Sequence, residues 1–325
     1  MVIAAPTDTN IEKAAGCLKD GGLVAMPTET VYGLAADATN DEAVARVFEA
    51  KGRPQFNPLI THYTGMHAAA QDVVFNSMAE QLATLFWPGP LTLVLPRRAD
   101  TQLSLLTSAG LPTQAVRCPA HPVAQKLIDM LGRPIAAPSA NMSGTLSPTA
   151  PMHVQDSLGD KVDMILAGGK SAVGLESTVM DVTGDKPVIL RHGVITKEDI
   201  ERHMGETVIV ATNENTAPKS PGQLLKHYAP KTALRLKAVD VGEGEALLAF
   251  GSTRFMGQKQ GGGLKGVEVL NLSETGDLHQ AAANLFSMLH QLDAGGYKSI
   301  AVMDVPQTGL GLAINDRLQR AVAGK

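Results

Sequence analysis

Apolar residues recur at helical spacing in several windows of the chain, and short unbroken aliphatic runs stand between those windows. That alternation predicts an α/β fold. Ile11, Ala14, Ala15 and Leu18 mark one side of a helix over 10–19, with Asn10 as its expected cap and Asp20-Gly21-Gly22 as its stop. The run 23–26 then reads as a buried strand. Ala43, Val47 and Ala50 predict a second helix over 41–50, capped near Asn40, followed by a strand at 59–61. A helix over 78–86 stops at Trp87-Pro88-Gly89-Pro90 and yields to the strand-forming run 91–95, with Trp87 read as a packing residue. Further strands are expected before Arg117, over 135–138, at 164–166, from 178 and at 188–190. A helix over 195–204 begins with Thr196 as cap and Asp199 completing a capping box. Beyond it the pattern changes to compact β/α units, with strands at 247–250, 267–272 and 299–303 and helices over 278–292 and 314–322. We expect a first domain over 1–206, a linker over 207–233 and a second, smaller domain over 234–325.

Composition agrees with this division. The 325 residues suffice for two cores, 44% are hydrophobic, and only 4% are aromatic, so those cores should be aliphatic. No apolar run reaches the roughly 18 residues needed to span a bilayer. The start MVIAAPTDTN has no basic segment feeding a hydrophobic one, so the expected location is the cytoplasm. Cys17 and Cys118 stand far apart without neighbouring partners, which argues against a disulfide framework or a structural zinc site. Residues 1–205 carry 16 Lys/Arg against 21 Asp/Glu, and residues 206–325 carry 12 against 11. Neither half is a basic nucleic-acid surface, so a polyanion has to be met by a local cluster of cations. That favours a small phosphorylated ligand.

The densest such cluster is Lys51-Gly52-Arg53-Pro54-Gln55-Phe56-Asn57-Pro58-Leu59-Ile60-Thr61-His62, a Gly/Pro-broken turn between helix and strand. Gly52 permits a tight path and Pro54 stiffens it, so Lys51 and Arg53 can face one polyanion. An ordinary solvated basic loop is the equal alternative. Thr28 to Leu34 interrupts a buried setting with polar groups that need partners, supplied by a ligand or by one another. His62 sits at a strand end, where it serves a carboxylate or the backbone. Arg117 leaves a short strand beside Thr113 with the planar fork that suits carboxylate or phosphate. The loop over 134–149 packs hydroxyls and an amide among small residues that let backbone donors approach phosphate. Arg191 is expected as an exposed cation ending a strand. Within the linker, Lys226-His227-Tyr228-Ala229-Pro230 carries groups that a spacer does not require, which suggests that it folds over a site. No phosphate-binding Gly-rich loop, dinucleotide fingerprint, zinc-protease motif or nucleophile elbow occurs. The groups present suit electrostatic clamping of a phosphoryl transition state, with no side-chain nucleophile expected.

Taken in order, Pro27-Thr28-Glu29-Thr30-Val31-Tyr32-Gly33-Leu34, Lys51-Gly52-Arg53-Pro54, Asn57-Pro58-Leu59-Ile60, Trp87-Pro88-Gly89-Pro90, Pro138-Ser139-Ala140-Asn141-Met142-Ser143-Gly144, Glu176-Ser177-Thr178-Val179 and Leu190-Arg191-His192-Gly193 resemble the YrdC-like threonylcarbamoyl-AMP synthases. Ser220-Pro221-Gly222 with His227-Tyr228-Ala229-Pro230 resembles the long two-domain branch, although Gln223-Leu224-Leu225-Lys226 departs from its usual Met, Tyr and Arg. The resemblance implies a twisted mixed β-sheet domain followed by a smaller Rossmann-like α/β domain. It implies synthesis of L-threonylcarbamoyl-AMP and pyrophosphate from L-threonine, bicarbonate and ATP. It also implies that Mg²⁺ accompanies the ATP, with its ligands unspecified. By the family pattern, ATP contacts fall on Arg53, Asn57, Thr113, Ser139, Ser147 and Arg191, with Lys51 and Asn141 in the same signature and Tyr228 covering the nucleotide. Lys51 and Arg53 are the expected electrostatic catalysts. Threonine contacts fall on Thr30, His62, Arg117, Ala137 and Ser177. The expected partner is a tRNA threonylcarbamoyl transferase complex downstream, with at most weak tRNA contact and no membrane. A double-stranded RNA-binding or ribosome-maturation protein is the alternative, weakened by the acidic balance of the first domain. A carbamoyl-phosphate-using transferase is a further one, weakened by the lack of zinc-finger and acylphosphatase-like modules.

Overall fold

The computed structural model describes residues 1–54, 56–211, 227–254, 256–257 and 263–324. The first domain is built on strands β1 (Val2–Ala4), β2 (Val24–Met26), β3 (Gly33–Asp37), β4 (Ile60–His62), β5 (Leu91–Pro96), β6 (Thr113–Arg117), β7 (Ile135–Ala136), β8 (Met164–Leu166), β9 (Thr178–Asp181), β10 (Val188–Arg191) and β11 (Ile209–Val210). They join in one mixed sheet of order β1-β8-β2-β3-β7-β4-β6-β5-β9-β10-β11. The second domain carries β12 (Ala233–Arg235), β13 (Glu245–Ala249), β14 (Val269–Asn271) and β15 (Ser299–Val302), all parallel, in the order β12-β15-β13-β14.

Side-chain alternation along the first strands sends residues to two cores. Ala25, Leu34 and Ala36 meet Val44, Val47 and Phe48 of the helix Asp41–Lys51. Val24, Met26 and Ala35 meet Ile11, Leu18, Leu127 and Ile128 of the helices Asp8–Lys19 and Pro122–Leu131. These strands are thus covered on both faces, as their aliphatic runs require. Asn40 caps the helix Asp41–Lys51, accepting from the amides of Glu42 and Ala43, and Gly52 ends it at φ 59°. Only glycine adopts that left-handed cap without strain, and it turns the chain so that Arg53 leaves the helix axis. The expected cap of the first helix moves upstream: Thr7 caps it, while the Asn10 side chain donates to the Ala5 carbonyl. Thr196 and Asp199 form the capping box that their spacing predicts.

The segment expected as a linker, 207–233, contributes to both sheets. Ile209–Val210 pairs with β10 as an edge strand, and Ala233 opens β12. Its middle, including Ser220-Pro221-Gly222 and Lys226, lies outside the described residues. The two domains share apolar packing, because Val31, Leu146 and Leu175 of the first join Tyr228, Leu285, Phe286 and Leu289 in one cluster. At their contact, Gly174 has φ 73°, and an added Cβ would lie 2.7 Å from the Ala282 carbonyl oxygen.

Candidate active site

Loops and strand ends of the first sheet converge on a cleft of about 540 Å³, its open mouth included. The parallel register of β4 and β6 pairs His62 with Arg117, so both arrive at the same strand ends. Ala137 and Ser139 follow β7, Glu176 and Ser177 precede β9, and Arg191 closes β10. Thr28 and Thr30 come from the turn between β2 and β3. His227 and Tyr228 complete the wall from the segment that enters the second domain.

The Arg117 end is organised by hydrogen bonds among buried groups. Its Nη1 donates to Thr30 Oγ1 at 3.0 Å, its Nη2 donates to the Glu29 carboxylate, and its Nε donates to the Gly89 carbonyl at 3.2 Å. The Thr28 and Thr30 hydroxyls lie 2.8 Å apart, which fixes the Thr30 oxygen that Arg117 meets. Burial, and then the neighbouring Arg117, push the His62 imidazole down to about 3. It is therefore neutral near pH 7, and its buried Nδ1 has no hydrogen-bond partner among the described residues. Ser177 Oγ lies 2.7 Å from Thr92 Oγ1, and the Ser177 carbonyl accepts from Arg191 Nε and Nη2 at 3.1 and 2.9 Å. Arg191 is buried, which corrects the expectation of an exposed cation: the strand runs inward and Ser177 takes its guanidinium.

Arg53 lines the cleft, its fork held by the carbonyls of Asn57 at 3.2 Å and Pro58 at 2.9 Å. Burial brings its guanidinium down to about 10, so it keeps its charge at neutral pH. Lys51 does not face the cleft with it. The Lys51 ammonium reaches behind the loop and donates to the carbonyls of Ser139 at 2.5 Å and Asn141 at 2.6 Å. Burial, and then Arg53, push this amine well below the ordinary lysine value. Lys51 is the last residue of its helix and meets the loop after β7, whereas the left-handed Gly52 separates it from Arg53, whose fork meets the carbonyls of Asn57 and Pro58. The paired presentation expected at this turn is thus half right, and Lys51 is a brace for the loop that carries Ser139.

Thirteen expected contact residues besides Lys51 divide between wall and surroundings. Thr30, Arg53, His62, Arg117, Ala137, Ser139, Ser177, Arg191 and Tyr228 line the cleft. Asn57, Thr113, Asn141 and Ser147 do not. Thr113 begins β6 opposite Pro96, at the far end of the strand from Arg117. Asn57 is buried with both amide atoms unpartnered among the described residues, and Asn141 uses its Nδ2 on the Met142 and Thr145 carbonyls. Ser147 Oγ donates to Glu176 Oε1 at 2.5 Å.

Two functional-looking groups were not singled out by sequence reasoning. Glu176 is a buried carboxylate in the cleft wall, and Arg317 of the helix Leu310–Ala323 donates from Nε to its Oε2 at 3.0 Å. Burial opposes the charge of Glu176, but Arg317, Arg191 and the Ser147 hydroxyl outweigh it and hold the carboxyl below its ordinary range. A sequence signal for Arg317 exists: it stands at helical spacing with Ile314, Leu318 and Ala321, the buried face of that helix. Tyr228 is held at φ 63°, with its ring 4.0 Å from that of His227 and 5.5 Å from that of Phe286. The cleft wall presents Arg53, Arg117 and Arg191 with Glu176, and Arg117 is paired with Glu29, so Arg53 and Arg191 supply the excess of positive charge that favours anions.

Comparison with known proteins agrees with this geometry. A family model described as "Telomere recombination", that of Sua5, YciO and YrdC, matches residues 16–193. A second, described as "Threonylcarbamoyl-AMP synthase, C-terminal domain", matches residues 195–323. The threonylcarbamoyl-AMP synthase of Pyrococcus abyssi is 42% identical over 331 residues, covering 96% of this chain and 93% of the relative. That of Bacillus subtilis is 40% identical, covering 98% and 94%. The crystal structure of P. abyssi Sua5 complexed with L-threonine superposes with a TM-score of 0.87 at 39% identity, over 99% of this chain and 97% of the other. With both halves matched in order and the cleft built largely by the first, the chain belongs to the Sua5/YrdC family of threonylcarbamoyl-AMP synthases in its two-domain form.

Proposed function

We propose that this cleft makes L-threonylcarbamoyl-AMP and pyrophosphate from L-threonine, bicarbonate and ATP, with the following division of labour. Arg117, braced by Thr30, takes the threonine carboxylate, and Ser177 and the backbone at Ala137 border the rest of the amino acid. The surrounding guanidinium groups disfavour a further positive charge, so they favour threonine with an uncharged amine. Neutral His62, which lines the cleft, offers a ring nitrogen as acceptor to that amine or to the hydroxyl. The amine adds to the bicarbonate carbon, and water leaves, which yields the carbamate. One carbamate oxygen attacks the α-phosphorus of ATP, the bond from that phosphorus to the β-bridging oxygen breaks, and pyrophosphate departs. Arg53 and Arg191, with donors near Ser139, meet the charge that gathers on the phosphates. Tyr228 and His227 close the wall and keep water from the labile adenylate.

Mg²⁺ belongs to this reading as part of the nucleotide substrate. Among the described residues no three His, Cys, Asp or Glu side chains gather as metal ligands, and the Glu176 oxygens are engaged by Ser147 and Arg317. Among the described residues the cleft thus gathers no such ligand set. The acyl-adenylate then serves a separate tRNA threonylcarbamoyl transferase system, which forms N6-threonylcarbamoyladenosine at position 37. The cations converge inside a cleft, which weighs against a duplex-RNA platform. Among the described residues no helix is long and apolar enough to cross a membrane.

The observation that carries this reading is the meeting of a carboxylate fork at Arg117 with a second pair of arginines, Arg53 and Arg191, in one cavity. Incubation with labelled ATP, bicarbonate and each amino acid in turn, followed by mass analysis, tests it. Threonine alone should support full acyl-adenylate and pyrophosphate formation, and Arg53→Ala should lower turnover roughly 100-fold in a folded protein. Equal activity with unrelated amino acids, or full turnover in that variant, contradicts the assignment.

A further inference from the structure

The last helix of the second domain sends an arginine side chain into the interior beside the cleft. Arg317 is 1% exposed. Its Nε donates to Glu176 at 3.0 Å, its Nη1 donates to Asp316 at 2.9 Å, and its guanidinium carbon lies 5.5 Å from the centre of the Tyr228 ring. Asp316 is itself held by Arg320 Nε at 2.9 Å, so the fork is fixed from behind. Glu176 and Tyr228 both line the cleft, and they come from distant parts of the chain: one precedes β9, the other follows the segment between domains. Arg317 meets both.

We infer that Arg317 is a positioning residue for the nucleotide half of the site: it compensates the Glu176 carboxylate that Ser147 also holds, and it backs the Tyr228 ring. Glu176 adjoins Ser177, whose carbonyl and hydroxyl hold Arg191. Arg191 also acts electrostatically on Glu176. Two cations thus compete for one buried carboxylate. Without Arg317, the negative charge of Glu176 is left uncompensated beside Arg191 and opposes the phosphates that Arg191 meets. Tyr228 then loses the cation against its ring. A lysine supplies charge but no planar fork, so it meets Glu176 or the ring and not both. The second domain in this account completes the nucleotide site rather than adding a separate activity.

This inference rests on the assignment of the cleft to ATP, and steady-state kinetics of the full chain separate the two. Arg53→Ala tests the assignment: an unchanged KM for ATP and unchanged turnover would remove it, whatever Arg317 does. With that control behaving as expected, Arg317→Met should raise KM for ATP roughly tenfold or more while KM for threonine stays within about twofold. Adding Glu176→Gln to Arg317→Met should recover most of the ATP effect, because the competing charge is gone. Arg317→Lys, which keeps a charge in the same space, decides the matter if Arg317→Met does not fold: it should melt as one cooperative unit and still raise KM for ATP roughly threefold or more. An ordinary KM for ATP in Arg317→Lys, equal rises in both KM values, or no recovery in the double variant would show a merely structural arginine and overturn the proposal.

Discussion

At the scale of single residues, the site is governed by what burial does to charge. Arg53, Arg191 and Arg117 line the wall, while His62 is driven neutral, so the cleft gathers anions without a protonated imidazole competing for the amine of the substrate. The consequence for stability has a definite sign. His62 has a folded-state value of about 3 against an ordinary 6.5, so between those limits the unfolded chain takes up a proton that the native protein refuses. Stability is therefore complete above about pH 6.5 and falls as pH drops through that window. Between pH 7.5 and 5.0 this one residue should cost about 2 kcal/mol. Urea denaturation at the two pH values should show that His62→Gln loses less on acidification than the parent; an equal loss contradicts a buried neutral His62. Lys51 makes a different point. Its identity was legible as part of a basic turn, but its direction was not, because a helix-terminal side chain is aimed by the packing of its helix.

At the scale of elements, the loops that carry the site are held against one another by contacts too close for any side chain. A Cβ on Gly193 would lie 2.3 Å from the Thr178 amide nitrogen, 2.5 Å from the Ser177 carbonyl carbon and 2.7 Å from the Glu176 oxygen. Gly193 follows β10 and so locks the turn after Arg191 onto the very residues that hold Arg191. Gly193→Ala should destabilise by about 1–3 kcal/mol, the usual cost of overpacking, and displace Ser177. Denaturant melts and the KM for threonine would both register it; unchanged values in both would show that the 176–178 backbone yields freely. Most elements were legible from periodicity: the helix of residues 41–51 with its Asn40 cap, the capping box at Thr196 and the long helix of the second domain follow local rules. The cap of the first helix was not, since Thr7 and Asn10 are both suitable residues and the Asn10 side chain is drawn instead to the Ala5 carbonyl. The strands β11 and β12 at the two ends of the expected linker were missed as well, because edge pairing depends on a partner far away in the sequence.

At the scale of the molecule, the two domains behave as one packed body because they share an apolar cluster and the Glu176–Arg317 pair. At Gly174 the backbone of the first domain lies against the helix Leu278–Asp293, with 2.7 Å to both the Ala282 oxygen and the Ala283 Cα for an added Cβ, at a φ that already disfavours a side chain. Gly174→Ala should therefore lower the melting temperature of a single calorimetric transition and raise KM for ATP. Two separate transitions in the parent protein would contradict the shared core. The amino-acid sequence by itself determined most of the α/β elements, the family, and nine of the cleft's residues, because most helix caps, aliphatic runs and the ordered short motifs are local properties that each stretch carries alone. Only the tertiary structure decided that Lys51 braces a loop, that Arg191 is buried, that Ser147 serves Glu176, and that an arginine from the last helix reaches the site. Each of those depends on which distant group occupies the space at the end of a side chain, and a cation's role is set by the partner that meets it.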